Sequence, residues 1–241
     1  MKKPISVVPM DPIAQRNKKN PGVISRLLKT RHFRGKGMAR TDAFGHYMFC
    51  GRQRSGKSVS FLWFYEYLKT YYEKKGKMVI TLDNLGISKN PIYRNTLPYV
   101  FDKLQYDKDV VYFILVDEIQ SWYSKEDKSM ETNKLVCDLA SQMDQLGKRQ
   151  IYLLSTAQVY GKLNKLLREQ CLFMVHCRRS YISNKVVNEF IDGDDILCDD
   201  LGRWSGYPTK IYVHGLPKTR FDTHRLISSR SGPMLQAIDS S

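Results

Sequence analysis

Lys57 and Ser58 close the run Gly51-Arg52-Gln53-Arg54-Ser55-Gly56-Lys57-Ser58, in which two glycines separated by four residues precede a basic and a hydroxyl side chain. That pattern suits a polyphosphate. The glycines let the backbone curl until successive N–H groups face one point, and a helix starting there sets its positive end beneath the anion. In such a loop Arg52, Gln53, Arg54 and Ser55 form the turn and Val59 lies just beyond it. Lys57 reaches the β- and γ-phosphates of a nucleotide and the Ser58 hydroxyl ligates Mg²⁺. ATP and Mg²⁺ are the expected ligands. Arg52 and Arg54 read as solvated loop tips, with nucleotide or a neighbouring subunit as their other option.

A metal-bound polyphosphate needs an acidic partner. Asp117 and Glu118 follow directly on the apolar run Val110–Val116. Leaving the C-terminal end of a buried strand, Asp117 is placed to hold Mg²⁺ through water and Glu118 to orient and deprotonate an attacking water. The next apolar stretch ends in Ser155-Thr156-Ala157-Gln158. On an adjacent strand tip, Gln158 either senses the γ-phosphate or serves as a turn residue. A carboxylate and an amide on neighbouring tips point to hydrolysis more than to nucleotide storage.

The elements that must carry these residues follow from periodicity. Short apolar runs at Tyr47 to Cys50, Met78 to Leu82, Val110 to Val116, Ile151 to Ser155, Leu172 to Cys177 and Lys210 to His214 read as strands. Between them, Phe61, Phe64, Tyr65, Leu68, Tyr71 and Tyr72 recur at helical spacing, and Gly76 ends that helix. Leu135, Val136, Leu139, Met143 and Leu146 mark a second helix closed by Gly147, and Leu163, Leu166 and Leu167 a third. The segment containing Pro91 and Pro98 reads as a turn-rich connection. Strands alternating with helices predict an α/β fold with a mainly parallel sheet.

The chain has 241 residues and a net charge of +15, from 39 basic and 24 acidic side chains. That surplus favours a polyanionic partner, nucleic acid or an anionic membrane surface. Much of the basic excess lies in residues 1–44, with few acids and several Pro and Gly, which reads as an extended arm with a short helix near Val23 to Thr30. Five scattered cysteines without a C-x-x-C pair fit a reducing compartment and exclude a disulfide scaffold. His176 beside Cys177 has no second pair at zinc-finger spacing, so a strand with a buried thiol is favoured over a metal site. The longest apolar run falls far short of the roughly 20 residues of a membrane helix, and no signal-type apolar region follows the N-terminus. Asp192, Asp194, Asp195, Asp199 and Asp200 form an acidic patch, read either as a solvated loop or as a surface meeting a basic neighbour.

Together the glycine-rich loop, the strand ending in Asp117-Glu118 and the strand ending in Thr156-Ala157-Gln158 resemble the FtsK–HerA superfamily of DNA-translocating P-loop ATPases. The stretch 155–171, S-T-A-Q-V-Y-G-K-L-N-K-L-L-R-E-Q-C, and the strand after it ending in Arg178-Arg179 are similar to genome-packaging ATPases of tailless, membrane-containing icosahedral viruses and to filamentous-phage assembly ATPases. The segment Arg220-Phe221-Asp222-Thr223-His224 is similar to an aromatic-Asp-Thr motif near their C-termini. The resemblance spans about residues 46–227.

The resemblance implies a RecA/FtsK-like P-loop NTPase domain at 45–230, its mainly parallel sheet flanked by helices, with the basic N-terminal arm at 1–44 and a flexible tail at 231–241. It implies Lys57, Glu118 and Gln158 as catalytic groups. It also implies a trans arginine finger, for which Arg149 is the nearest match and Arg168, Arg178 and Arg179 are rivals. A homo-oligomeric ring, a hexamer, threads double-stranded DNA in such systems, and capsid or viral membrane proteins are further partners. The location implied is the host cytoplasm or the packaging vertex of a virion. Two alternatives stay open: a virion assembly or extrusion ATPase of filamentous-phage type, and a P-loop kinase.

Overall fold

Alternation along each strand decides how the sheet is covered. In a computed structural model, which describes residues 43–179, 185–199 and 203–214, the chain runs β1 (Gly45–Cys50), α1 (Lys57–Lys74), β2 (Met78–Asp83), α2 (Leu97–Lys103), β3 (Val110–Val116), α3 (Ile119–Trp122), α4 (Met130–Met143), β4 (Ile151–Ala157), α5 (Lys165–Glu169), β5 (Cys171–Arg179), β6 (Val186–Asp192), β7 (Leu197–Cys198), β8 (Trp204–Ser205) and β9 (Pro208–His214). Residues 1–42 of the 1–44 arm, with the Val23 to Thr30 helix, the Arg220 to His224 segment and the tail at 231–241, lie outside the described residues. Val111, Phe113 and Leu115 of β3 point into one core with Phe61, Phe64 and Leu68 of α1. Tyr112, Ile114 and Val116 point into a second core with Leu135, Leu139 and Met143 of α4. Both faces of a parallel strand are thus buried, which is why β3 reads as an unbroken apolar run.

The main sheet has seven strands in the order β2-β3-β4-β1-β5-β6-β9. From β2 to β5 neighbours are parallel, and β6 and β9 add an antiparallel flank. The chain steps outward from β1 to β2, returns through β3 and β4, then crosses to β5 on the other side of β1. β1 therefore sits at the reversal of strand order, where open α/β sheets form a crevice at their C-terminal edge. The register aligns that edge: Cys50 lies opposite Ala157, and Val116 opposite Ser155. Hence the loop after β1, the acids after β3 and the polar tip of β4 emerge side by side.

Helix α2 and strand β6 are among the elements that escape the periodicity reading. Leu97–Lys103 is helical although Pro98 lies in it, because a first-turn proline loses no intrahelical hydrogen bond. β6 carries Asn188 and Glu189 at its centre, which hides its apolar pattern, but both are satisfied. The Asn188 amide accepts from Ser60 Oγ at 2.6 Å and pairs with His214 Nε2 at 2.8 Å. Glu189 pairs with His176 and Arg178, which together hold its carboxyl below the usual range against the opposing effect of burial. Cys177 is buried in β5 beside them, and burial pushes its thiol up to about 12. In the acidic patch, Asp192 is itself buried and caps the turn at Gly193–Asp195 by accepting from the Asp194 N–H at 3.2 Å. No helix among the described residues is long and apolar enough to cross a membrane.

Candidate active site

The loop after β1 is folded by its glycines and by β5 and β6 behind it. Gly56 has φ +90°, a left-handed conformation that a side chain strains, and a Cβ there would meet Val186 Cγ2 at 2.7 Å. A Cβ on Gly51 would meet Ser55 Oγ at 2.3 Å and the Cys177 carbonyl oxygen at 2.8 Å. The turn closes through the Ser55 N–H to Arg52 O bond at 3.1 Å. Arg52, Gln53 and Arg54 are exposed at its tip, while Lys57 is buried.

Helix α1 begins at Lys57 with no side-chain cap and no acid in its first turn. The free N–H groups of that turn therefore have no local acceptor and face the crevice as an anion site. The Ser55 hydroxyl is buried within the loop beside Gly51 without a hydrogen-bond partner. These features fit a polyphosphate with its cation: Ser58 and Asp117 are the residues that would hold Mg²⁺, and the 51–58 backbone with Lys57 the phosphates.

Across the crevice, Lys57 Nζ lies 3.3 Å from Glu118 Oε1. The same oxygen accepts from Gln158 Nε2 at 3.3 Å. Lys57, Glu118 and Gln158 thus converge on one point from three different strand ends. Asp117 is buried and accepts a short hydrogen bond from the Thr156 hydroxyl. Burial raises its pKa, helped by the neighbouring Glu118 charge and opposed by the Thr156 bond and by Lys57. The Asp117 carboxyl is therefore desolvated, and a bound cation would favour its ionised form.

Three residues that complete the site were not singled out by the sequence reading. Thr156 bridges the two acids, since its Oγ1 also accepts from the Glu118 N–H at 2.8 Å. Asn84, just after β2, pairs with the Asp117 backbone in both directions, accepting from its N–H at 2.8 Å and donating to its carbonyl at 3.1 Å. Gln120 donates to Glu118 Oε2 at 2.9 Å. Only Thr156 left a trace, inside the Ser155-Thr156-Ala157-Gln158 tip; the other two depend on how β2 and α3 lie in space.

This strand–loop–helix with two acids on a nearby strand end is the P-loop NTPase arrangement. Among solved structures the chain is similar to the N-terminal domain of zonular occludens toxin from Neisseria meningitidis, at 13% identity and TM-score 0.45 over 73% of this chain and 96% of that one. It is also similar to the genome packaging NTPase B204 from Sulfolobus turreted icosahedral virus 2, solved with ATP-gammaS, at 13% identity and TM-score 0.46 over 73% of this chain and all of that one. No family model and no curated protein matches the chain. Likenesses of this size say nothing about substrate or partner, and the chemistry is read from the site's own residues.

The arginines fall in different places. Arg149 lies at the N-terminal end of β4, the opposite edge of the sheet, where it donates to the Phe101 carbonyl at 2.6 Å and to Gln142 Oε1 at 3.3 Å. Arg168 stacks over Tyr160 and donates to Cys198 Sγ. Arg178 is ion-paired with Glu189, and Arg179 is exposed at the end of β5. Among the described residues, the contacts of Arg149, Arg168 and Arg178 lie away from the Lys57–Glu118 pair.

Proposed function

We propose that this chain is an ATP hydrolase that drives the movement of double-stranded DNA, as a viral genome-packaging motor. The observation that carries the hydrolytic half is the convergence of Lys57, Glu118 and Gln158, with Glu118 next to a separate cation-holding carboxylate at Asp117. When bound, Mg²⁺ supplies charge neutralisation on the phosphates and fixes their orientation. Lys57 and the loop amides take up charge that builds on the transferred group. Glu118 accepts the proton of the attacking water at a carboxylate oxygen, and Gln158 keeps that oxygen aimed. A carboxylate base suits water as the acceptor, which favours hydrolysis over the transfer chemistry of a kinase.

The DNA half is supported by the net charge of +15 and by the superfamily motifs of the loop and the two strand tips. In the ring reading a neighbour's arginine completes the site through a head-to-tail contact. Arg149, remote from its own loop, is the candidate, and it must leave the Phe101 carbonyl to serve.

The test is phosphate release with and without double-stranded DNA, beside native mass measurement. A several-fold stimulation by DNA that weakens as salt rises, in a ring-sized species, is the expected result. Hydrolysis indifferent to DNA removes the translocase half, and transfer of phosphate to a small acceptor in place of water makes the chain a kinase.

A further inference from the structure

Glu118 is held at φ 56°, in the left-handed region, although it is not a glycine. Its neighbours must enforce that conformation, since a non-glycine residue does not stay there unaided. On one side the short helix α3 is anchored at its far end by Arg94, whose Nε donates to the Trp122 carbonyl at 2.8 Å while Tyr123 Oη donates to the Arg94 carbonyl at 2.6 Å. On the other side stands Gln120, whose side chain is used at both ends. Its Nε2 donates to Glu118 Oε2 at 2.9 Å, and its Oε1 accepts from the backbone N–H of Val159 at 3.1 Å.

Val159 follows Gln158, which holds the other Glu118 oxygen. Glu118, Gln120 and the Gln158-Val159 backbone therefore close a ring of hydrogen bonds around the carboxylate. The segment that follows is tied alongside residues 123–125 by the Lys125 N–H to Lys162 O bond at 2.9 Å and the Asn164 N–H to Tyr123 O bond at 3.0 Å. Yet Val159 and Lys162 are exposed on its outer side.

Resting on the hydrolytic reading of this site, we propose that Gln120 is a positioning residue that couples the aim of the Glu118 carboxylate to the 158–164 segment. A partner that moves Val159 or Lys162 then has a route of two hydrogen bonds to the base. Among the described residues the Gln120 side chain bonds to Glu118 and Val159, and it acts on turnover only through Glu118.

The experiment combines kinetics with amide hydrogen exchange. In Gln120→Ala, kcat falls roughly tenfold while the ATP Kd stays within about twofold, as expected for loss of one hydrogen bond to a charged group. Placed in a Glu118→Gln background, Gln120→Ala causes no further loss. Gln120→Glu replaces the donor to Glu118 with a like charge, so it also loses turnover. Without any nucleotide, both Gln120→Ala and Glu118→Ala lower the protection of the Val159 amide, because each breaks one end of the bridge.

An unchanged kcat in Gln120→Ala, or losses that add in the double variant, overturns the coupling. So does Val159 protection that ignores Glu118→Ala. A native chain that hydrolyses no ATP defeats the hydrolytic reading instead, and the exchange data then decide the coupling alone.

Discussion

Lys57→Ala leaves no measurable ATP turnover and weakens ATP binding at least tenfold. The ammonium is the one charged group the loop itself aims into the crevice, and each of its charge-assisted bonds to phosphate is worth about 1.5–3 kcal/mol. The substitution also strips Glu118 Oε1 of a cation at 3.3 Å, leaving that oxygen with Gln158 alone. Because Lys57 lies at the first position of α1, where alanine is a good helix former, the helix and the core beneath it survive. Circular dichroism and thermal midpoint close to those of the native chain, with turnover lost, separate this result from misfolding. Turnover retained within a few-fold removes Lys57 from the mechanism.

Glu118→Gln separates binding from chemistry. The amide is nearly the same shape, and Ser58 and Asp117, the pair proposed to hold the cation, are untouched, as is the Thr156 hydroxyl that bridges Asp117 and the Glu118 backbone. What disappears is the proton acceptor. General-base contributions of about 10²–10⁴-fold set the expected fall in kcat, with ATP affinity kept within a few-fold. Single-turnover phosphate release and equilibrium binding measure the two quantities separately. Equal losses in both would mean that Glu118 holds substrate rather than activates water.

How far this site could be seen in advance depended on whether its residues are defined along the chain or across it. Gly51, Gly56, Lys57 and Ser58 form a contiguous pattern with one chemical purpose. Asp117 and Glu118 end an apolar run long enough to mark a strand buried on both faces. Both were legible for those reasons, as was Gln158 at the next tip. Asn84 meets Asp117 only across the sheet, and Gln120, although two residues past Glu118, turns back onto it and reaches Val159 only through the turn after β3. β6 was hidden for a related reason, since Asn188 and Glu189 are polar in the sequence and paired only once β5 and β9 lie beside them. Arg149, assigned as a finger for a neighbouring subunit from its place ahead of the Gln158 strand, lies at the end of the sheet opposite Gln158. Within one chain it caps the C-terminal end of α2 through the Phe101 carbonyl.

The central claim is that phosphates sit within the 51–58 backbone facing the two carboxylates after β3. Amide resonances of the isotope-labelled chain, followed as ATP and Mg²⁺ are added, test it most directly. The account predicts that the largest shifts fall on residues 51–58 together with Asp117, Glu118 and Gln158. Binding that leaves those amides in place while perturbing another part of the sheet would contradict it.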